Sequence, residues 1–155
     1  MSLASPRRSR CERGLASVEF TIALPVLLLL LLTTAEIGRM LSQYDTLTKT
    51  VRDGARYLAA HSLDGSTGTV QITAQVQAQT QNLVVSGNIN GTGSPVLPGL
   101  VVGNVTVSSA ANNYVSVSAV YTYQPMIGTS LPTFGLGSPI STAIPLTATV
   151  VMRAL

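Results

Sequence analysis

The chain has 155 residues, enough for one modest domain plus a membrane segment. Hydrophobic residues make up 46% and charged residues 10%, against roughly 25% charged in a typical soluble domain. The net charge of +3 is concentrated in Arg7, Arg8, Arg10 and Arg13, while Gly65 through Met152 contains no Asp, Glu, Lys or Arg. A nucleic-acid interface needs Lys and Arg on the folded surface to displace counterions, so nucleic acid is excluded as a partner. Cys11 is the sole cysteine, which rules out an intramolecular disulfide. Arginines rather than an apolar stretch precede it, so it does not resemble a lipid-attachment cysteine and reads as a spectator thiol.

Leu15 to Thr34, LASVEFTIALPVLLLLLLTT, is the decisive segment. At about 1.5 Å per residue a helix of this length spans roughly 30 Å, the thickness of a bilayer's hydrocarbon core. The arginines ahead of it favour a cytoplasmic N-terminus and an extracytoplasmic C-terminal part. A secretory signal peptide is the first rival, with Thr33, Thr34 and Ala35 as a loose cleavage site. Glu19 inside the apolar stretch and a helical pattern that continues past Ala35 argue against it.

A carboxylate in an apolar helix costs a few kcal/mol and is usually functional. Glu19 could snorkel to the interface, being close to Gly14. Alternatively, a cut between Gly14 and Leu15 would give Leu15 a free ammonium group and make Glu19 the fifth residue of the mature chain. A neighbouring subunit with an axial offset would then bring carboxylate and ammonium together in a low-dielectric core.

The run Arg13-Gly14-Leu15-Ala16-Ser17-Val18-Glu19-Phe20, with Ala23-Leu24-Pro25 and the leucine block, resembles the N-terminus of TadE-like minor pilins of the tight-adherence (Flp, type IVc) pilus systems. Glu36-Ile37-Gly38 and Arg52-Asp53-Gly54-Ala55-Arg56 are similar to that family too; the likeness runs from about Arg13 to Ala60. The resemblance implies cleavage after Gly14 by a prepilin peptidase, then incorporation into a pilus or priming of its assembly. Leu15 departs from the phenylalanine usual in better-known type IV pilins, which separates N-methylation from cleavage. Pro25 would cost about 3 kcal/mol in a soluble helix, but membrane helices tolerate such a residue.

Beyond the span, Ile37, Leu41, Tyr44, Thr48, Val51, Ala55 and Leu58 follow a heptad, widened by Met40, Leu47 and Gly54. This predicts an amphipathic helix whose stripe packs on the chain's own globular part, with a seam between subunits as the alternative. Leu15 to about Ala60 would form one helix of roughly 70 Å.

His61 to Thr69 is a turn-rich break. Val70 to Val85 alternates like a strand at first, yet its glutamines and alanines suit a helix, with Ile72, Val76 and Leu83 on one face. Together with the resemblance, which implies a helix here, it is taken as helical. Ser86 to Gly99 is a loop. Val101 to Ser108 and Tyr114 to Tyr123 form an expected hairpin, the second strand pointing Val115, Val117, Ala119, Tyr121 and Tyr123 one way. After a Gly/Pro-rich loop from Gln124 to Pro139, Ile144 to Met152 makes a last strand with Leu146, Ala148, Val150 and Met152 on one face.

The expected fold is therefore α+β: a long N-terminal transmembrane and amphipathic helix, a second short helix and a small three-stranded antiparallel sheet. Residues 1–14 are a basic cytoplasmic leader. Residues 15–60 are a continuous helix, with the membrane span at 15–34 and the amphipathic part at 35–60. Residues 61–155 are an extracytoplasmic domain in the envelope or in the extracellular pilus. No catalytic constellation, metal-ligand cluster or cofactor motif is present: His61 is the only histidine, with Asp64 nearby in a break. No enzyme, metal or cofactor is expected. The expected function is that of a minor pilin or pseudopilin, with Gly14 and Leu15 as cleavage site and Glu19 in subunit assembly. Pro25, Ile37, Leu41, Tyr44, Val51 and Leu58 are the expected helix-packing residues. The expected partners are a prepilin peptidase, other pilins, an inner-membrane assembly platform and the lipid bilayer. The alternative is an unprocessed single-span envelope scaffold or pilus assembly factor.

Overall fold

The computed structural model describes residues 9–126, 130–131, 138, 140–141 and 143–155, with side chains from residue 16 onward except at 130, 131 and 140. The first helix, α1, runs unbroken from Ser9 to His61. It starts ahead of the expected Leu15, because Ser9 to Arg13 contains no proline or glycine to stop it. The chain divides into two compact units, Met1–Gly38 and Arg39–Leu155.

In the first unit α1 is long and apolar enough to cross a membrane, and none of its most apolar window is buried by the chain itself. Its hydroxyls are satisfied locally: Thr21 donates to the Ser17 carbonyl, Thr33 to Leu29 and Thr34 to Leu30, each at 2.8 Å. In hydrocarbon such back-bonding is what lets a polar side chain stay in a helix. Pro25 lies inside α1 without ending it, although it lacks the amide that would bond the Thr21 carbonyl.

In the second unit α1 buries Leu47, Val51, Ala55, Leu58 and Ala59. Each large aliphatic side chain removed from water contributes about 1.5–3 kcal/mol. A short bridge between Leu63 and Val70 follows, closed by Asp64. Its carboxylate accepts from the Ser66 hydroxyl at 2.7 Å and the Ser66 amide at 2.9 Å. These bonds, with others from Thr67, hold the carboxyl below its usual range.

The ambiguous stretch resolves into a helix, α2, from Ala74 to Ser86. Thr73 caps its start by accepting from the Val76 amide, and Gly87 ends it in the left-handed region at φ 70°. Its first residues are not helical, since Val70 is held in the bridge. The fully buried positions are Thr80, Val84 and Val85, whereas Leu83 is half-buried. Thr80 is buried without penalty because its hydroxyl donates to the Val76 carbonyl at 2.7 Å.

The sheet has the order β1-β2-β5, antiparallel throughout, with β1 Val105–Ala110, β2 Tyr114–Thr122 and β5 Pro145–Arg153. Val101 does not join β1 as expected. A 3₁₀ turn over Val102–Asn104 precedes the strand, because the Asn104 side chain accepts from the Val101 amide and offers the backbone an alternative to the ladder. Asn112 and Asn113 take left-handed conformations in the β1–β2 turn. Most of the Gln124–Pro139 loop lies outside the described residues, but Ser130–Leu131 (β3) pairs with Ile140–Ser141 (β4), a pairing not expected from the sequence.

The core gathers one face of α1, α2 and the inner face of β2: Val115, Val117, Ala119 and Tyr121, with Ala148 from β5. The Ser86–Gly99 loop supplies Leu97, and Leu100 follows it into the core. The C-terminus is tied down as well, since the Leu155 amide donates to the Ala59 carbonyl at 3.0 Å.

At Gly54 α1 and α2 pack closely. A Cβ there would lie 2.5 Å from Val84 Cγ2 and 3.6 Å from Thr80 Cγ2. Alanine is better than glycine in an open helix by about 1 kcal/mol, but forced overpacking costs about 1–3 kcal/mol. The clash wins, so Gly54→Ala is expected to lower stability, and Gly54→Val to lower it further. Thermal unfolding followed by circular dichroism checks this; a raised melting temperature for Gly54→Ala would show that the helices are not in contact there.

Candidate functional site

The sequence-predicted site residues lie on α1, and the two units place them differently. In the first unit the backbone of Gly14 and Leu15 is helical. Glu19 shares a helix face with Ile22, Ala23, Val26 and Leu27, the spacing that stacks side chains over successive turns. Those five residues line a shallow groove that is almost wholly apolar. Glu19 is thus the single carboxylate on that face, and it is exposed. Neighbouring Phe20 and Ile22 are exposed too, so among the described residues none shields the carboxylate.

In the second unit the heptad stripe divides. Val51 and Leu58 are fully buried in the core, whereas Leu41 is 59% and Tyr44 42% exposed. Ile37, at the end of the first unit, is 50% exposed. The break comes at Leu47, the first stripe residue buried among the elements of its own domain. Periodicity alone cannot reveal such a break, because every residue of a stripe carries the same pattern whatever covers it.

Other features had no separate sequence signal. Tyr57 donates to Gln79 Oε1 at 2.9 Å, linking α1 to α2. Gln81 Nε2 donates to the Val105 carbonyl at 2.9 Å, linking α2 to β1. Tyr121 is buried, which raises its hydroxyl above the ordinary tyrosine value despite the opposing charge of Arg39. Lys49 and Asp45 form an exposed i,i+4 pair at 2.6 Å, a contact of little energetic weight. Among the described residues no group of His, Cys, Asp and Glu side chains is arranged to hold a metal ion.

The divided stripe predicts unequal responses to the same change. Leu41→Glu should alter the domain's stability by no more than about 0.5 kcal/mol, as for an ordinary surface site. Val51→Glu buries an unpaired carboxylate and should unfold the domain. Thermal melts of the two variants in detergent separate them; comparable losses would mean that Leu41 belongs to the same core.

Residues 14–56 match the family model described as TadE-like protein. No curated protein and no solved structure matches the chain. The matched segment covers the Gly14–Leu15 junction, Glu19, Pro25 and α1 as far as Arg56. Over that segment, which is less than half of its length, the chain is similar to TadE-like proteins.

Proposed function

We propose that this chain is a minor pilin or pseudopilin, cut between Gly14 and Leu15 and then inserted into, or priming assembly of, a Tad-type pilus for surface adherence. The observation that carries this reading is Glu19: one carboxylate on an otherwise apolar helix face that the chain leaves uncovered. In a bilayer that carboxylate has a standing cost of a few kcal/mol. An ammonium group on Leu15 of a neighbouring subunit would remove that cost. The basic leader favours a cytoplasmic N-terminus, leaving the domain after His61 outside. No enzymatic step is assigned to the chain itself, and a prepilin peptidase, other pilins and the inner-membrane assembly platform are its proposed partners.

Processing requires the peptidase to open a helical backbone at Gly14. Glycine makes opening easier by about 1 kcal/mol relative to alanine. Intact-mass analysis of membrane-derived protein should find a mature chain beginning at Leu15, and a bulky residue at Gly14 should block its formation. A mature chain beginning at Met1 or near Ala35, in cells that hold the peptidase, rejects the reading in favour of an unprocessed anchor or a signal peptide.

Glu19→Gln keeps the size and removes the charge. Taking away one member of a buried pair typically costs about 3–5 kcal/mol, enough to keep a subunit out of a filament. The variant should accumulate in the membrane, processed and folded, while piliation counted by electron microscopy falls. Normal piliation would assign Glu19 to interfacial snorkelling, and an unprocessed variant would assign it to peptidase recognition.

A further inference from the structure

The loop after α2 contains a residue pair whose chemistry follows from how the loop folds. Gly91 takes a left-handed conformation at φ 68°, and a Cβ there would lie 2.9 Å from Asn82 Cγ. The backbone conformation and this contact together select glycine. Asn82 is itself fixed against the loop, donating through Nδ2 to the Ile89 carbonyl at 3.2 Å. Asn90 therefore stands directly before a backbone amide with no side chain to hinder it.

The chain has six asparagines, and four are held through their side chains. Besides Asn82, Asn104 accepts from the Val101 amide at 3.2 Å and Asn113 donates to the Gly68 carbonyl at 2.8 Å. Asn88 accepts from the Asn90 amide and donates to Thr92 Oγ1, both at 2.9 Å. Asn90 and Asn112 are exposed, and their side-chain amides have no hydrogen bond among the described residues. Of these two, Asn90 precedes glycine and Asn112 precedes Asn113.

One restraint acts on the pair. The Gly91 N–H donates to the Asn88 carbonyl at 3.1 Å, toward the long end of the usual range. The bond lies in a surface loop, where local opening costs little. The Asn88 side chain braces the same turn on both sides of the pair, through the Asn90 amide and the Thr92 hydroxyl.

We infer that Asn90 is the site at which this domain undergoes spontaneous deamidation, and that the Asn88 side chain restrains the reaction. When the turn opens, the Gly91 nitrogen gives up its proton to the solvent and bonds to Asn90 Cγ. The Cγ–Nδ2 bond breaks, and Nδ2 leaves as ammonia after taking up a proton. The cyclic imide then adds one water. Opening of its Cγ–N bond gives aspartate, and opening at the main-chain carbonyl gives isoaspartate. One water enters, one ammonia leaves, and nothing is oxidised or reduced. Either product puts a carboxylate into Gly65–Met152, which has no charged residue. Isoaspartate also lengthens the main chain by a methylene, in the loop that delivers Leu97 to the core. The charge of this domain thus records its age. The inference is independent of cleavage at Gly14 and of the role of Glu19.

The test incubates the full chain in detergent in warm, mildly alkaline buffer and follows each asparagine over time. Chymotryptic fragments read by tandem mass spectrometry locate the conversion, and an isoaspartyl methyltransferase assay confirms the product. Asn90 should convert at least about tenfold faster than Asn112, which shares its exposure but lacks the following glycine. Asn88→Ala removes both braces and should speed conversion at Asn90 by about two- to tenfold, the worth of one or two neutral hydrogen bonds. Thr92→Val removes one brace with little change of shape and should speed it as well, which covers the case where the Asn88 variant misfolds. Conversion at Asn112 should stay constant in both variants. Conversion at Asn90 no faster than at Asn112 overturns the site. Unchanged rates at Asn90 in both variants, or an equal rise at Asn112 in both, overturn the restraint by Asn88.

Discussion

Closure of the backbone hydrogen bonds within α1 is the constraint on which the rest of this molecule depends. From Ala16 to Leu32 the side chains are mainly apolar and the chain itself leaves them uncovered. No element other than a helix, or a closed barrel, can present such a surface to hydrocarbon, because each unpaired amide or carbonyl there costs several kcal/mol. Thr21, Thr33 and Thr34 obey the same rule by returning their hydroxyls to carbonyls one turn back. Against this background Glu19 stands apart, since no local bond can neutralise a carboxylate on the face it shares with Ile22 and Val26.

The second unit uses the continuation of α1 for a different purpose. Val51, Ala55 and Leu58 give the sheet an apolar surface to pack on, and Gly54 admits α2 to the same core. With no charges between Gly65 and Met152, this domain rests on packing and on neutral hydrogen bonds such as Thr80 to Val76 and Gln81 to Val105. Neutrality has a consequence at the surface. Without charges along β5, nothing in the side-chain chemistry discourages another strand from pairing with its edge.

The TadE-like match and the architecture of the C-terminal domain bear on function in different ways. The match ends at Arg56, while α2 and the sheet lie beyond it. The matched helix holds Gly14, Glu19 and the apolar span. The part after Arg56 lies outside that likeness, so its architecture is known here from the structure alone.

Much was legible in the residues alone. Leu15 to Thr34 declared a membrane-length apolar helix, because length and hydropathy are local quantities that no packing partner alters. The alternation of Val115, Val117, Ala119 and Tyr121 declared a strand with one buried face, which β2 adopts. The anomaly of Glu19 was visible because a charge in an apolar run is costly wherever its partner comes from. What depended on contacts between distant parts of the chain was not legible. The heptad from Ile37 to Leu58 could not show that burial begins at Leu47, since that depends on where the sheet and α2 cover the helix. Val70 remained ambiguous until Leu63 paired with it, and Val101 was lost from the strand to a bond with the Asn104 side chain. Gly54 gave no sign that Val84 would pack against it. The order β1-β2-β5 is decided only when the strands meet, because pairing is a relation between segments and no single segment contains it.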